Sequence, residues 1–334
     1  MKAGGLSAPG PGKPLPVAQS KKIWLADPRM VVVLAGIAAL LWGVGYSAVK
    51  IGYEWLAIAQ DDVPSKLLFA GIRFLLAGLM AALCAWAADK KPPVPRRDGL
   101  KGIMLLSLFQ TILQYSALYI ALAHVTGAKS SILNQLGPFL LVLLAHMTDK
   151  KDTFHLGKAA GCAIGFSGII LINLGSGLNG GFSMLGEGFI VLSSLSAAVG
   201  YIVSKKATQH GGAILLSGYQ QFIGGGVLAI AGLMAGGSLQ IDSAKDIWIL
   251  LYLSFSISAA YVIWALLLQF NDISKVSVYK FAVPVFGVIS SGLLLGEQVW
   301  TIRMAASLVL VSLGIIAVNR RPGGKKMTER TGST

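Results

Sequence analysis

The sequence has few charged residues, and the charges it does have are unbalanced. Only 13% of its 334 residues are charged, and mean hydropathy is +0.70. Soluble domains keep about a quarter of their residues charged. Lys and Arg number 28 against 14 Asp and Glu. This composition excludes an ordinary soluble domain and predicts a chain embedded in a membrane.

Cysteine and histidine are also scarce, which excludes several kinds of site. Cys84 and Cys162 fall in apolar segments, where we expect free thiols rather than a disulfide framework. The sequence contains neither an H-E-x-x-H motif nor a pair of cysteines at metal-ligand spacing. We therefore expect no metal site and no cofactor.

One short motif raises an enzymatic alternative. The stretch G-F-S-G at 165–168 matches the pattern of a membrane-embedded serine nucleophile, which needs a histidine base within hydrogen-bond reach. The four histidines all lie in loops or at the ends of apolar segments: His124, His146, His155 and His210. We therefore predict that the protein is not an enzyme.

Long apolar stretches make up most of the chain. A helix needs about 20 apolar residues to cross the roughly 30 Å hydrocarbon layer of a bilayer. Ten segments meet this requirement, namely 30–51, 65–88, 100–122, 126–148, 155–174, 186–206, 213–235, 246–270, 274–296 and 299–319. They predict an all-α integral membrane protein with ten transmembrane helices. Residues 1–29, rich in Gly, Pro, Ser and Lys, are predicted to be a disordered N-terminal tail, and residues 320–334 a C-terminal tail.

The positions of the basic residues predict the orientation of the chain. Of the 28 Lys and Arg, 21 lie in segments on the side of the two termini and five on the opposite side. Arg73 and Lys280 fall within spans. Because basic residues accumulate on the cytoplasmic side, both termini are expected in the cytoplasm of a cell, with the chain in its inner membrane. The membrane topology thus accounts for the net charge of +14. We expect the protein to be surrounded by a lipid bilayer and not to bind nucleic acid.

The chain also contains an internal repeat. The motif V-G-Y followed by a lysine four residues later occurs at 44–50 and again at 199–205. The segment at 67–78 resembles that at 215–226, and further matches follow in the same order. Several regions that align in the same order are not expected by chance.

Two repeats are therefore predicted, at 30–174 and 186–319. Each contains five spans, and because five is odd the second copy enters the membrane inverted. Inverted repeats are typical of secondary transporters, whose site lies near the midplane between the halves.

Two prolines indicate where that site lies. Proline cannot donate a backbone hydrogen bond, and its ring displaces the carbonyl four residues earlier. Pro138 and Pro284 therefore predict helix bends, and the carbonyls they free belong to Asn134 and Lys280. Freed backbone groups at membrane depth are tolerated in protein or at a wet cavity, so we expect both side chains at a substrate site. The alternative for Lys280 is that its long stem snorkels to the cytoplasmic interface.

Other spans supply further candidates. Trp42, Tyr46 and Lys50 share one face of the first span because they recur every four residues, and Tyr201 and Lys205 lie on the matching face of the sixth. Lys50 and Lys205 are predicted at the two mouths of the site, with interfacial anchoring as the alternative. Polar stripes on the third and eighth spans either line the cavity or join helices. Their substrate-binding candidates are Gln110, Gln114, Tyr115, Ser258, Tyr261 and Trp264.

Intramembrane charges narrow the function further. For Arg73 we favour an ion pair with acidic residues of the adjacent outer loop over a functional role. All 14 acidic residues lie in loops or at helix ends, which argues against cation or proton exchange through a buried carboxylate. A lysine at the site instead favours a ligand with an anionic group.

A family resemblance is carried by Trp42-Gly43, Arg73-Phe74, Pro138, Pro284 and Leu295-Gly296-Glu297. Over about residues 30–320 the chain resembles the EamA type of the drug/metabolite transporter superfamily. The resemblance implies two five-helix halves around a cavity lined mainly by spans 1, 3, 4, 6, 8 and 9. The chain departs from the pattern after the fourth span, where Lys150-Lys151 replace the Gly-Glu found after the ninth.

Together these features predict a secondary transporter that works by alternating access. We expect export or exchange of a small anionic or zwitterionic, amino-acid-like metabolite, by a monomer or homodimer. The alternatives are a multidrug or nucleotide- or sugar-type metabolite transporter and, more distantly, a channel or an intramembrane enzyme.

Overall fold

The computed structural model describes residues 27–89, 99–140, 156–173, 182–207, 213–271 and 278–319, together with positions 25, 144 and 276. Within these ranges the chain is helical and contains no β-strand, so the all-α prediction is confirmed. Nearly all of the two predicted tails, 1–29 and 320–334, lies outside the described residues.

Ten helical segments follow one another in the described chain, and each overlaps one predicted span. They are α1 (Pro28–Trp55), α2 (Val63–Asp89), α3 (Leu100–Leu106, Ser107–Leu113 and Gln114–Leu122), α4 (Gly127–Leu133, with further helix at 136–140), α5 (Leu156–Asn173), α6 (Met184–Gly188 and Phe189–Ala207), α7 (Ala213–Met234), α8 (Ala244–Phe270), α9 (Val278–Phe281 and Ala282–Leu295) and α10 (Ile302–Asn319). Six of these, α1, α2, α3, α6, α7 and α8, are long and apolar enough to cross a membrane. Helices α5, α9 and α10 contain shorter apolar stretches.

Helices α4 and α9 are irregular near their prolines. Helix α4 is interrupted by a turn at 134 and 135, and the N–H of Gly137 donates to the carbonyl of Asn134 at 3.2 Å. This bond satisfies the carbonyl that Pro138, lacking an N–H, cannot. In α9, a 3₁₀ turn that contains Lys280 precedes the α-helix carrying Pro284. Both breaks in helical geometry therefore fall close to the carbonyl four residues before a proline.

Corresponding helices of the two predicted repeats pack closely. Helix α2 packs against α7, and α5 packs against α10. A Cβ on Gly71 would lie 2.2 Å from the backbone nitrogen of Ala229, and one on Gly314 would lie 2.6 Å from the Cα of Gly165. These helices therefore approach backbone to backbone, which only glycine allows. Helix α1 packs against both α8 and α9 and so joins the first half to the second.

Candidate functional site

A cavity lies between helices of both halves. Its empty volume, including the part open to solvent, is about 880 Å³. It is lined by Leu41, Trp42, Gly45, Tyr46, Val49, Arg73, Gln114, Tyr115, Leu118, Tyr119, Leu122, Asn134, Gln135, Gly137, Pro138, Ala197, Tyr201, Ile257, Tyr261, Lys280 and Val283. These residues come from α1, α3, α4, α6, α8 and α9, with Arg73 added by α2.

Eight of the eleven predicted substrate-binding residues line this cavity. They are Trp42, Tyr46, Gln114, Tyr115, Asn134, Tyr201, Tyr261 and Lys280. Of the two prolines, Pro138 lines the cavity, whereas Pro284 is buried in α9 outside the lining. The side chain of Lys205, a predicted mouth residue, lies outside the described part of the chain.

The other three predicted residues are placed elsewhere. Gln110 lies in the π-helical turn of α3, which changes the helical register, and its Cγ lies 2.2 Å from where a Cβ on Gly200 would be. It therefore packs α3 against α6. Ser258 follows Ile257, which lines the cavity, and one residue along an α-helix turns the side chain by about 100°. Trp264 is buried behind the lining, where it packs on Trp42 with ring centroids 5.3 Å apart.

Lys280 is held at the cavity by aromatic residues. Its Nζ donates a 2.6 Å hydrogen bond to the hydroxyl of Tyr201. The same atom lies 4.0 Å from the centroid of the Tyr201 ring and 5.1 Å from that of Trp264. A ring face attracts a cation through its quadrupole. The ammonium is therefore positioned by a phenol and two rings of the protein.

Arg73 is a cavity residue whose partners differ from those expected. Its side chain is almost fully buried, its Nε donates to the carbonyl of Leu253 at 3.1 Å, and its Nη1 donates to the hydroxyl of Tyr119. Among the described residues, no carboxylate lies within ion-pair distance of it, so the expected pairing with the outer loop is wrong. The reason is depth: Arg73 lies about 15 Å along α2 from Val63, beyond reach of that loop. Its intramembrane position was the signal for a functional role.

Hydrogen bonds join the lining residues across helices. The Nδ2 of Asn134 donates to the hydroxyl of Tyr46 at 2.7 Å, and its Oδ1 accepts from the hydroxyl of Ser194 at 3.3 Å. Asn134 thus connects α1, α4 and α6. The hydroxyls of Tyr115 and Tyr261 lie 3.3 Å apart and connect α3 with α8. The bonds of Asn134 with Ser194 and of Tyr115 with Tyr261 each join the two predicted repeats, so both repeats contribute to this network.

The charge of the cavity has one sign. Arg73 and Lys280 are its two ionisable cations, and none of the residues given above for its lining is Asp or Glu. The remaining polar groups are amides and phenols. Over the described part of the chain, no three His, Cys, Asp or Glu side chains are grouped so as to hold a metal ion. The cavity is suited to attract an anionic group.

A second polar group lies at the end of α9, and we call it the Glu297 cluster. It consists of Glu297, Lys50, Ser291 and the backbone N–H groups of Gly127 and Ala128. The Oε1 of Glu297 lies 3.0 Å from the Nζ of Lys50 and accepts from Gly127 N–H at 3.0 Å. Its Oε2 accepts from Ala128 N–H at 3.2 Å and from the Ser291 hydroxyl. Lys50, predicted as a mouth residue, therefore belongs to an ion pair and does not line the cavity.

Burial and hydrogen bonding act in opposite directions on Glu297. Burial alone would raise the pKa of its carboxyl group, but the hydrogen bonds from Ser291 and Gly127 and the charge of Lys50 outweigh it. The net effect holds the pKa of Glu297 below its usual value. The carboxylate is therefore ionised and fully engaged.

A neighbouring ion pair joins the same region to α6. Lys129, in the first turn of α4, pairs with Glu187, in the first turn of α6. The Oε2 of Glu187 also accepts from the N–H of Ser183 at 3.0 Å. Because Lys50 and Lys129 belong to the first half and both glutamates to the second, two ion pairs tie the halves together at the start of α4.

Comparisons with known proteins agree with this architecture. The model of the EamA-like transporter family matches residues 29–174 and again residues 184–320. The uncharacterized transporter YvbV of Bacillus subtilis (strain 168) is 26% identical over 304 residues, which cover 90% of this chain and 95% of that one. A probable amino-acid metabolite efflux pump of Escherichia coli (strain K12) is 25% identical over 293 residues, covering 84% of this chain and 92% of that one.

The fold has also been seen in a solved structure. A protein of known crystal structure superposes with a TM-score of 0.62 at 16% sequence identity. The match covers 86% of this chain and 96% of that one. At this level of identity the likeness shows a shared fold.

Proposed function

The chain belongs to the EamA-like transporter family and is a multi-pass membrane transporter, and from this premise we propose that it exports or exchanges a small anionic or zwitterionic, amino-acid-like metabolite by alternating access. One observation supports the choice of substrate: the described residues that line the cavity include two cations and no carboxylate. The relatives named as amino-acid metabolite efflux pumps support both the substrate class and the outward direction.

The cavity offers the substrate complementary chemistry. A carboxylate would meet the ammonium of Lys280 in a charge-assisted hydrogen bond, which is roughly twice as strong as a neutral one. The amides of Gln114 and Asn134 and the hydroxyl of Tyr261 can orient the rest of the molecule. The rings of Trp42 and Tyr46 supply apolar contact. A small polar metabolite thereby exchanges its water shell for fixed partners.

We place the protein in the cell membrane with both termini in the cytoplasm. The excess of Lys and Arg on the side of the termini supports this orientation. The start of α4 and the end of α9 then face the outside. The Glu297 cluster and the pair of Lys129 with Glu187 accordingly lie at the outer ends of the helices.

We assign the Glu297 cluster as the outer gate. It joins α1 of the first half to the segment after α9 of the second, and its carboxylate also binds the start of α4. Opening the cavity outward would require these contacts to separate. In alternating access the halves rock about a central site, so contacts at one face break while those at the other form.

Transport by reconstituted protein tests the proposal. Purified protein in liposomes is preloaded with unlabelled amino or carboxylic acids, and uptake of the labelled compound is followed. Counterflow that saturates with concentration is the expected result for a carrier. A non-saturating ionic current, or no counterflow with any acidic or zwitterionic probe, would contradict the proposal.

A further inference from the structure

We propose, building on the transporter function above, that the cavity selects substrates of net negative charge over zwitterions, with Arg73 as a second cationic contact besides Lys280. An amino-acid zwitterion carries one negative and one positive group. The lining supplies two positive groups and no negative one among its described residues. Selectivity is the difference between two binding affinities. The preference between acids and zwitterions therefore depends on how the cavity interacts with the positive group of a zwitterion.

Arg73 has donors left for a ligand. A guanidinium carries five N–H groups. The protein uses Nε on the Leu253 carbonyl and one N–H of Nη1 on Tyr119. Across the described residues, the other N–H groups of Arg73 have no hydrogen-bond acceptor, although only 3% of the residue is exposed.

A buried charge without a counter-charge is costly, and the missing counter-charge can come from a ligand. Because Arg73 lines the cavity, an acidic group there would both satisfy its free donors and neutralise it. The fork of a guanidinium matches the two oxygens of a carboxylate. Arg73 can therefore bind one acidic group in addition to the group that Lys280 binds.

Two aromatic rings of the lining, Tyr201 and Tyr119, already have a cation of the protein beside them. The cation of Lys280 lies over Tyr201 and Trp264. The guanidinium of Arg73 lies 5.5 Å from the ring centroid of Phe74 and 5.7 Å from that of Tyr119. A substrate ammonium would find no carboxylate among the described lining residues, and it would be repelled by both cations. A second acidic group would instead gain from the same field.

Aromatic contacts connect the two cations along one wall. The ring centroids of Tyr119 and Tyr115 lie 6.3 Å apart, and the hydroxyls of Tyr115 and Tyr261 are in contact. The ring centroid of Trp42 lies 5.6 Å from that of Tyr261 and 5.3 Å from that of Trp264, the ring beside Lys280. The wall provides apolar contact for a carbon chain. A substrate with acidic groups and an apolar body therefore uses the wall and both cations together.

Matched pairs of probes test the charge preference. Counterflow into liposomes is measured with L-glutamate against L-glutamine, L-aspartate against L-asparagine, and phosphoserine against serine. We expect the acidic member of at least one pair to accumulate about tenfold faster at limiting concentration, since hydrogen bonds to charged groups are the stronger ones. Equal or faster accumulation of the uncharged-side-chain members would overturn the preference while leaving the transporter function standing. If neither member of any pair accumulated, both proposals would fail.

Variants assign the preference to the two cations. Lys280→Gln and Arg73→Gln should each bring the acid-to-amide ratio of rates toward one. Arg303→Gln removes the same charge at an exposed position on α10, outside the cavity, and should leave the ratio unchanged. A purely structural Arg73 would lower all rates alike and leave the ratio as in the wild type.

Folding of the Arg73 variant is controlled separately. Arg73→Lys keeps the charge and should retain most of the preference. If Arg73→Gln does not yield monodisperse protein, Lys280→Gln still decides the matter because Lys280 is only half-buried. An unchanged ratio in Lys280→Gln would refute the selection mechanism.

Discussion

The Glu297 cluster and the central cavity both place charges between the two halves, but they treat those charges differently. In the Glu297 cluster, the charge of Lys50 is met by a carboxylate 3.0 Å away, and that carboxylate accepts from two backbone N–H groups and a hydroxyl. In the cavity, Lys280 has a phenol and two ring faces, and Arg73 has a carbonyl and a phenol. The Glu297 cluster is neutral within itself, whereas the cavity has two cations with no carboxylate partner among the described residues.

The difference indicates what each region is for. Ions taken out of water need an opposite charge and complete hydrogen bonding to be tolerated. The Glu297 cluster meets that requirement from the protein alone, which suits a contact whose task is to hold two elements together. The cavity does not, which suits a place where a ligand supplies the remaining partner. Substitutions in the two regions should therefore separate transport from stability.

The largest expected effect on transport comes from a cavity residue. Lys280→Ala removes the half-buried ammonium and should lower the counterflow rate at limiting substrate at least tenfold, the loss of about 1.4 kcal/mol of binding. The melting temperature should stay within the range of the wild type, because the ammonium has no ionic partner in the described protein. Lys101→Ala, at an exposed position on α3, is the matched control. Wild-type rates in Lys280→Ala would remove Lys280 from the site.

The next effect is on stability, from the Glu297 cluster. Glu297→Gln leaves a neutral amide beside Lys50 and lowers the strength of several charge-assisted hydrogen bonds, each worth about 1.5–3 kcal/mol. We expect the free energy of unfolding in detergent to fall by about 2 kcal/mol. Glu54→Gln, an exposed carboxylate on α1, serves as control. An unchanged unfolding midpoint in Glu297→Gln would mean that the cluster does not hold the halves together.

A smaller effect is expected for the other partner of the ion pair. Lys50 is more exposed than Glu297, with 27% against 14% of the side chain accessible. Lys50→Met should cost about 1 kcal/mol, since partly exposed ion pairs contribute little. Its diagnostic readout is coupling: the loss in the double variant with Glu297→Gln should be smaller than the sum of the two single losses. Strict additivity would show that the pair does not interact energetically.

The smallest effect is the dependence of stability on pH. Because the folded state lowers the pKa of Glu297, the unfolded state binds its proton more readily. The stabilisation is present above the unfolded pKa of about 4.3 and is lost as pH falls through the folded value. Melting temperatures measured from pH 6 downward should therefore decline less steeply in Glu297→Gln than in the wild type. Parallel curves would contradict the lowered pKa.

Much of the fold could be predicted from the sequence because membrane helices obey simple rules. Apolar length gave ten segments, each of which contains a helix in the described chain, and Pro138 and Pro284 indicated where α4 and α9 depart from regular α-helix. Both signals are local: one depends on the thickness of the bilayer and the other on a missing N–H.

The details that escaped prediction depend on tertiary contacts. Gln110 was assigned to the cavity by α-helical spacing, but the π-helical stretch of α3 gives it a different register. Nothing near Arg73 in the sequence shows that Leu253 and Tyr119 would be its partners. Lys50 and Glu297 lie 247 residues apart, so their ion pair could not be recognised from either local motif.

The glycine contacts of α2 with α7 and of α5 with α10 have a mechanical consequence. Interdigitated side chains resist sliding because each displacement forces rotamers to change. Two backbone surfaces in direct contact have no interdigitated side chains to rearrange. A Cβ on Gly225 would lie 2.5 Å from the backbone nitrogen of Leu75, so the two main chains touch without side chains between them. Small shear displacements along these seams therefore need no repacking. In the proposed alternating-access cycle these helix pairs would be the hinge on which the two halves tilt, and replacing their glycines with bulkier residues would stiffen that hinge.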